Sequence, residues 1–398
     1  MSRWWWLATV VLIGTAMGGL AAGALVTPPL EPLPTASPEP PSPPAQVVVP
    51  TQASDRVLLV WLHGGVPLEL AQRVATIPGV TDATVVRGDR ADLTRTADAA
   101  GVIDEWGQGW AVPLDVLAID PASFAALAPV SAQPAIRGLA ANEALLGSTS
   151  AALRRTDAGA VLELASGTHL TVTAVLDDVV VAGAEVVVDV ATGERIGVTT
   201  PRYLLLRYTG DRSSIEAAVR DAAPGRAVRV RGHGEAPFLR HGDAVLPQAL
   251  IKARFGEFSY RPPSAGRDFS IDPGWAADNI VTEDVPLLGR VRCHRGIVAP
   301  LRHALAELEA AGLGHVVDRD GYAGCYNPRL VAPDGGVSRH AWGVAIDLNA
   351  DANPLGATST QDPRLVETMA RWGFAWGGFW LVPHAMHFEY LEAAPIGD

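Results

Sequence analysis

The sequence predicts an α+β protein in two folded regions. Three observations carry that reading. Two stretches share one β-α-β order, at Val57–Val86 and Tyr203–Val230. A run of short β-branched segments lies between them. A glycine- and tryptophan-rich C-terminal region follows a segment rich in Pro, Gly, Ser and Asp.

In the first stretch, Val57–Leu62 reads as a buried strand. Pro67–Ile77 has helical spacing, with Leu68, Ala71, Val74 and Ala75 on one face. Pro78-Gly79 ends that helix, and Ala83–Val86 returns as a strand. In the second stretch, Tyr203–Tyr208 is a strand and Ser213–Ala222 a helix with a serine cap. Pro224-Gly225 is its stop, and Ala227–Val230 a strand. Two such units of about equal length predict a ferredoxin-like pair of halves over residues 55–255. Between them, Val161–Leu164, Leu170–Val175, Val179–Val181 and Glu185–Val190 are divided by Ser-Gly, Asp-Asp and Ala-Gly turns, which predicts a β-rich insert near residues 158–199. With the phrase Pro113-Leu114-Asp115-Val116-Leu117-Ala118-Ile119-Asp120-Pro121, this texture resembles the extracytoplasmic core of MacB/FtsX-type permeases. The flanking permease helices are not seen, so the resemblance implies no transport.

Trp4–Val26 is 23 residues without a charge, preceded by Arg3. A helix needs about 20 apolar residues to span a bilayer, and the Trp4-Trp5-Trp6 cluster suits the interface. Ala21-Ala22-Gly23-Ala24 also offers small residues to a signal peptidase, so a cleaved signal peptide is the rival reading. The length of the apolar run favours an uncleaved anchor over residues 1–26, and the remainder is exported either way. Residues 27–54 hold ten prolines and read as a semi-rigid linker. A net charge of −12, without a basic stripe, excludes a nucleic-acid partner. Lys252 is the only lysine.

His63, His169, His233 and His241 show no ligand spacing and read as surface or hydrogen-bonded residues. No catalytic constellation precedes residue 260. Residues 256–284 read as a connector, and the last domain runs over 285–398. Within it, Val298, Leu301, Leu305 and Leu308 form one face of a helix opened by Pro300. His303 and His315 read as ordinary helix and turn residues.

The chemistry concentrates near the end. Ser338-Arg339-His340-Ala341-Trp342-Gly343-Val344-Ala345-Ile346-Asp347 is followed by His387-Phe388-Glu389-Tyr390. Two histidines and a carboxylate, with a fourth position left open, make the donor set of a catalytic zinc site. Ser338–Asp347 has strand-like alternation, and a turn at Gly343 would bring His340 and Asp347 onto one metal. His387 and Glu389, two apart on a strand, share a face, so Glu389 can hold the outer nitrogen of His387.

These segments resemble the zinc peptidases of the VanY/M15 group, the D-alanyl-D-alanine carboxypeptidases and L-alanyl-D-glutamate endopeptidases. Their pattern is Ser-x-His-x-x-Gly-x-Ala-x-Asp with a late His-x-Glu. Ser338, His340, Gly343, Ala345 and Asp347 match its first part. Trp376-Gly377-Gly378, Trp380, Met386, His387, Phe388 and Glu389 match the tail, and Tyr322, Gly324, Tyr326 and Arg329 an upstream segment. The resemblance covers roughly residues 285–392. It implies a hedgehog/D-Ala-D-Ala-peptidase-like zinc domain acting on peptidoglycan stem peptides. His340, Asp347 and His387 would be the zinc ligands, Arg329 the oxyanion-stabilising cation, and Ser338, Tyr326 and Trp380 substrate contacts. Among Trp342, Trp372, Trp376 and Trp380, two are expected in the core.

One position departs from the family. Three residues before the last ligand, where the pattern has Asp or Glu as general base, stands His384. A neutral imidazole can take that proton or bind the metal instead. The alternative reading is therefore an inactive peptidoglycan-binding sensor or scaffold, whose N-terminal domain contacts a protein partner. A β-lactam-type serine enzyme is disfavoured, because Ala341 stands where a lysine would follow Ser338. In an exported chain, Cys293 and Cys325 are expected to form a disulfide, closing a loop worth roughly 3 kcal/mol in the chain-entropy model.

Overall fold

The first lobe runs β1 (Val57–Leu62), α1 (Leu68–Ala75), β2 (Val80–Asp98), β3 (Gly101–Glu105), β4 (Val112–Ile119), α2 (Pro121–Leu127), α3 (Gln133–Arg137) and β5 (Glu143–Gly147). It continues through α4 (Ser148–Arg154), β6 (Val161–Leu164), β7 (His169–Leu176), β8 (Val186–Asp189), α5 (Val190–Arg195), β9 (Pro201–Tyr208), α6 (Arg212–Asp221) and β10 (Val228–Gly232). The structure, a computed structural model, describes residues 56–232, 246–332 and 335–391. The expected anchor and linker, His233 and His241 lie outside the described residues. Among the described residues no helix is long and apolar enough to cross a membrane. The described residues fall in one compact unit.

The two β-α-β units intercalate. Their strands pair in the order β10-β1-β9-β2, all antiparallel. Leu70 and Val74 of α1 and Ile215 and Val219 of α6 pack on one face against Leu58, Val60, Leu204 and Leu206. The alternation of each strand splits its apolar residues between two cores. Leu59, Tyr203 and Leu205 accordingly point to the other face, covered by α2 and α3.

The intervening segment is larger and more mixed than its β-branched runs suggest. The 19-residue β2 leaves the first sheet and continues into a second structure. Its pairings run β2-β4-β8-β5-β7-β6, and β6 pairs back with β2. The strands therefore close on themselves and leave few free edges. Leu93, Leu114, Val116, Leu146, Leu162 and Val186 fill the interior. Val179–Val181 is a turn rather than a strand: Val180 N–H donates to Asp177 O, and Gly183 N–H to Asp178 O. The α6 cap is Asp211, whose side chain accepts from Ser214 N–H, because Ser213 already lies inside the first turn.

The C-terminal part comprises α7 (Gln248–Phe255), β11 (Tyr260–Arg261), β12 (Ser270–Ile271), α8 (Pro273–Asn279), β13 (Ile280–Val285), β14 (Gly289–His294) and α9 (Arg295–Ala310). After a long irregular stretch come β15 (Ala345–Asp347), α10 (Pro363–Arg371), β16 (Phe374–Trp376) and β17 (His387–Tyr390). β17 sits between β15 and β16 in a three-stranded antiparallel sheet. Residues 256–284, read from composition as a connector, are built into this core. Phe258, Tyr260 and Ile271 are buried there with Ile297, Leu301, Leu305 and Phe388. Tyr260 also exchanges backbone hydrogen bonds with Ala111 of the first lobe.

Pro300 does not open α9 but lies inside it. The missing N–H would have pointed at the carbonyl of Gly296. The start of α9 is capped by His294, whose Nδ1 accepts from Gly296 N–H at 3.0 Å while Nε2 faces Phe255 O at 3.1 Å. The Gly296 contact needs a neutral ring, because an unprotonated Nδ1 is its acceptor. Burial, opposed by the Phe255 carbonyl, pushes His294 down to about 4. Its unfolded value is about 6.5. The unfolded chain thus binds the proton first, and the contribution of His294 is complete above pH 6.5 and lost as pH falls toward 4. His294→Asn keeps a capping acceptor without titration. Denaturant unfolding of both proteins should show wild type losing on the order of 2 kcal/mol relative to the variant between pH 7 and 4.5.

Candidate metal centre

Asp347 ends β15 and His387 begins β17, and the two are direct cross-strand partners. His340 arrives from a 3-10 turn, Arg339–Trp342, rather than from the strand that the alternation predicts. Ser338 caps the turn by accepting from His340 N–H. Gly343 ends it at φ 67°, and a Cβ there would lie 2.7 Å from the backbone nitrogen of His294. Only glycine fits this reversal, which carries the chain from the His340 turn into β15. Trp342 anchors the turn: it is fully buried, donates Nε1–H to Gly256 O and packs 4.6 Å from Phe258.

The three side chains converge. His340 Nε2 lies 3.2 Å from Asp347 Oδ2 and 3.2 Å from His387 Nδ1, and His387 Nδ1 is 2.8 Å from Asp347 Oδ1. All three residues are buried, and one ligand atom from each falls within 4.8 Å of the others. The outer nitrogens are held as well. His340 Nδ1 donates to Cys325 O at 2.8 Å, and His387 Nε2 faces Glu389 Oε1 at 3.3 Å. These bonds leave His340 Nε2 and His387 Nδ1 with lone pairs toward a common point. Burial pushes His387 down, yet its hydrogen bonds with Asp347 and Glu389 outweigh that and lift it to about 9. Burial raises the Asp347 carboxyl, but hydrogen bonds from His340 and His387 hold it far below the usual carboxylate range. The point between these groups favours positive charge. Its N/N/O donor set suits a zinc ion.

Cys293 and Cys325 are joined in a disulfide with Cα atoms 5.4 Å apart. It ties β14 to the segment whose Cys325 carbonyl orients His340. Gly324 and Asp347 form an isolated antiparallel bridge beside it.

His340 and His387 border a cleft of about 570 Å³. Its lining includes Ser338, Arg329, Trp380 and His384, as the sequence suggests. Tyr326 is placed elsewhere. Its N–H pairs with Arg292 O, its ring sits 4.7 Å from the Arg292 guanidinium carbon, and it does not line the cleft. The tryptophans divide: Trp342 is core, Trp372 stacks on His303, Trp376 donates to Ala385 O, and Trp380 edges His387 at 5.2 Å. His384 stacks flat on His387, with ring centroids 4.8 Å apart and planes 3° apart, and stands outside the three-residue ligand group. Burial and then the charge of His387 push it down to about 4, so it is a neutral imidazole at pH 7. Burial also pushes Arg329 below its ordinary value, opposed by the charge of Asp347.

Sequence reasoning missed one wall of the cleft. Its far wall comes from the first lobe: Trp61, His63, Asp115 and Arg202 line it. Arg202 pairs with Asp115 at 2.5 Å. The Trp380 loop leans on the same lobe, since Arg229 donates to Phe379 O at 3.0 Å and Leu381 packs against Leu59, Tyr203 and their neighbours. His63 carries no ligand spacing, and nothing local in the sequence marks it as a cleft residue.

Residues 332–390 match a family model described as D-alanyl-D-alanine carboxypeptidase. This span holds His340, Asp347, His384, His387 and Glu389, in agreement with the resemblance read from the motifs. No curated protein matches the chain. Solved structures that resemble parts of it include the following two. The periplasmic region of MacB from Actinobacillus actinomycetemcomitans is 7% identical, covers 46% of this chain and 90% of that chain, and has a TM-score of 0.31. The extracellular domain of the noncanonic ABC-type transporter YknZ from Gram-positive bacteria is 8% identical, covers 44% of this chain and 100% of that chain, and has a TM-score of 0.30.

Proposed function

We propose that the chain is a membrane-anchored, extracytoplasmic zinc metallopeptidase that hydrolyses peptidoglycan stem peptides, at a D-Ala-D-Ala or L-Ala-D-Glu bond. The observation that carries this reading is the convergence of His340, Asp347 and His387, each outer histidine nitrogen already held, with both histidines lining a cleft. The match to a peptidase family over the same residues supports it. The disulfide supports an oxidising compartment, hence export. We further read the order β10-β1-β9-β2 as ferredoxin-like halves, and residues 285–398 as the peptidase domain.

When bound, a zinc ion would polarise the scissile carbonyl and lower the pKa of a water. The chain's own groups supply the rest. His340, Asp347 and His387 hold the ion, while Glu389 and the Cys325 carbonyl fix the two imidazoles. Arg329 places a fixed positive charge where negative charge develops on the substrate oxygen. His384 accepts the proton of the attacking water at an imidazole nitrogen and returns it to the leaving amine.

A second reading is favoured by one observation. His384 replaces a carboxylate and lies flat on His387, an arrangement that also suits a binding protein without turnover. The test is hydrolysis of a D-Ala-D-Ala-terminated pentapeptide by the zinc-loaded protein. The peptidase reading expects release of D-Ala, or of L-Ala where the L-Ala-D-Glu bond is the one cut, reduced about 10²–10⁴-fold in His384→Ala. If the natural protein leaves the peptide intact while His384→Glu cleaves it, the scaffold reading stands instead.

A further inference from the structure

Residues 267–271 run beside the arginine segment of the cleft. Phe269 N–H donates to Pro328 O at 3.2 Å, Leu330 N–H donates to Arg267 O at 2.9 Å, and Asp268 bridges Arg329 as an antiparallel pair. This pairing sets Asp268 directly across from Arg329 and Arg267 one place along, and both arginines line the cleft. Arg329 is half-buried and Arg267 exposed, so the two cations step outward from the metal group toward the mouth. Burial is the main cause that lowers the pKa of Arg329; the charge of Arg267 adds to it, while Asp347 and Asp268 oppose it.

The other lining arginines are engaged. Arg202 pairs with Asp115, and Arg339 is partly buried and donates to Leu246 O at 2.7 Å. Among the described residues neither Arg267 nor Arg329 pairs with a carboxylate; the Arg267 guanidinium meets only the Val331 carbonyl, at 3.3 Å. Two adjacent guanidiniums repel each other, and the arrangement is favourable when an anion joins them. In a chain of net charge −12, this makes the cleft mouth a local cationic spot that draws an anionic ligand. Arg267 lies before residue 332 and so outside the family match.

We infer that Arg267 is a specificity-determining residue: outward of Arg329, which faces the reacting carbonyl, it forms an anion subsite that takes a second carboxylate of the peptide. The inference rests on the peptidase reading for its substrate class. The cleft then selects stem peptides with a free carboxylate over those carrying a carboxamide there.

Two pentapeptides ending in D-Ala-D-Ala, identical except for D-isoglutamate or D-isoglutamine at the second position, give the test. The zinc-loaded wild-type protein should favour the isoglutamate peptide about tenfold in kcat/KM, through KM, the scale of one charge-assisted hydrogen bond. Arg267→Gln should abolish that preference, and Arg267→Lys should restore part of it. Equal use of both peptides by the wild type, or an undiminished preference in Arg267→Gln, overturns the inference. If neither peptide is cut, the peptidase reading fails on its own, and calorimetric binding of the same two peptides decides the subsite. Tighter binding of the isoglutamate peptide that Arg267→Gln removes supports it. Equal binding, or none, overturns it.

Discussion

His340→Ala is expected to abolish stoichiometric zinc binding and to cut peptide hydrolysis on the order of 10³-fold or more. The lost side chain is one of three donors, so the remaining His387–Asp347 pair leaves a two-coordinate site that no longer meets the needs of zinc. The metal's Lewis-acid contribution is worth several kcal/mol, and each 1.36 kcal/mol is a factor of ten in rate. Metal content of the purified protein and D-Ala release measure the two effects separately. Glu389→Gln makes the informative contrast. It keeps all three donors but weakens the acceptor on His387 Nε2, and outer partners of this kind cost about 10–100-fold in affinity or activity. Full zinc occupancy and unchanged turnover in His340→Ala would sink the assignment of this group as the metal centre.

How much of this was legible in the sequence depends on range. His340, Asp347, His387 and Glu389 could be read because the chemistry dictates both residue type and spacing: two strand positions put Glu389 behind His387, and Gly343 permits the reversal before β15. The strands Val57–Leu62 and Val161–Leu164 could be read because alternation and β-branching are local signals. Pro300 and Ser213 misled for a related reason. A proline or serine near a helix start is a boundary signal, yet His294 and Asp211 hold the actual caps, set by where the preceding strands deliver the chain. The connector misled through composition. Its prolines and glycines are real, but Phe258 and Tyr260 have the C-terminal core and the first lobe to bury against. The placement of Arg267 beside Arg329, of His63 across the cleft and of the Cys325 carbonyl under His340 arises from pairings between distant segments, which no window of sequence contains.

Glu185→Ala is expected to destabilise the folded protein by about 3–5 kcal/mol, the range for removing one partner of a buried ion pair. Glu185 is fully buried and sits where α7 meets the first lobe. It accepts from Arg154 at 3.1 Å, Lys252 at 2.7 Å, Gln248 at 2.7 Å and the backbone N–H of Asp115 at 3.0 Å. Arg154 also pairs with Glu257, and Lys252 reaches Glu257 at 3.0 Å. Two buried cations are thus balanced by two carboxylates, and Lys252, the only lysine of the chain, adds a bond to Pro113 O at 2.6 Å. Removing Glu185 leaves two cations against one anion, with two further donors unpaired in a dry interior. Lys252→Met should cost less, because Met keeps the aliphatic volume while Glu185 retains Arg154, Gln248 and the Asp115 N–H. Thermal unfolding of the three proteins gives the order. Since this network joins α7 to the wall that carries Asp115 and Arg202, Glu185→Ala should also weaken peptide binding at temperatures where the protein remains folded. Equal stability of Glu185→Ala and wild type would show that the network contributes nothing net, as some buried ion pairs do when set against their desolvation.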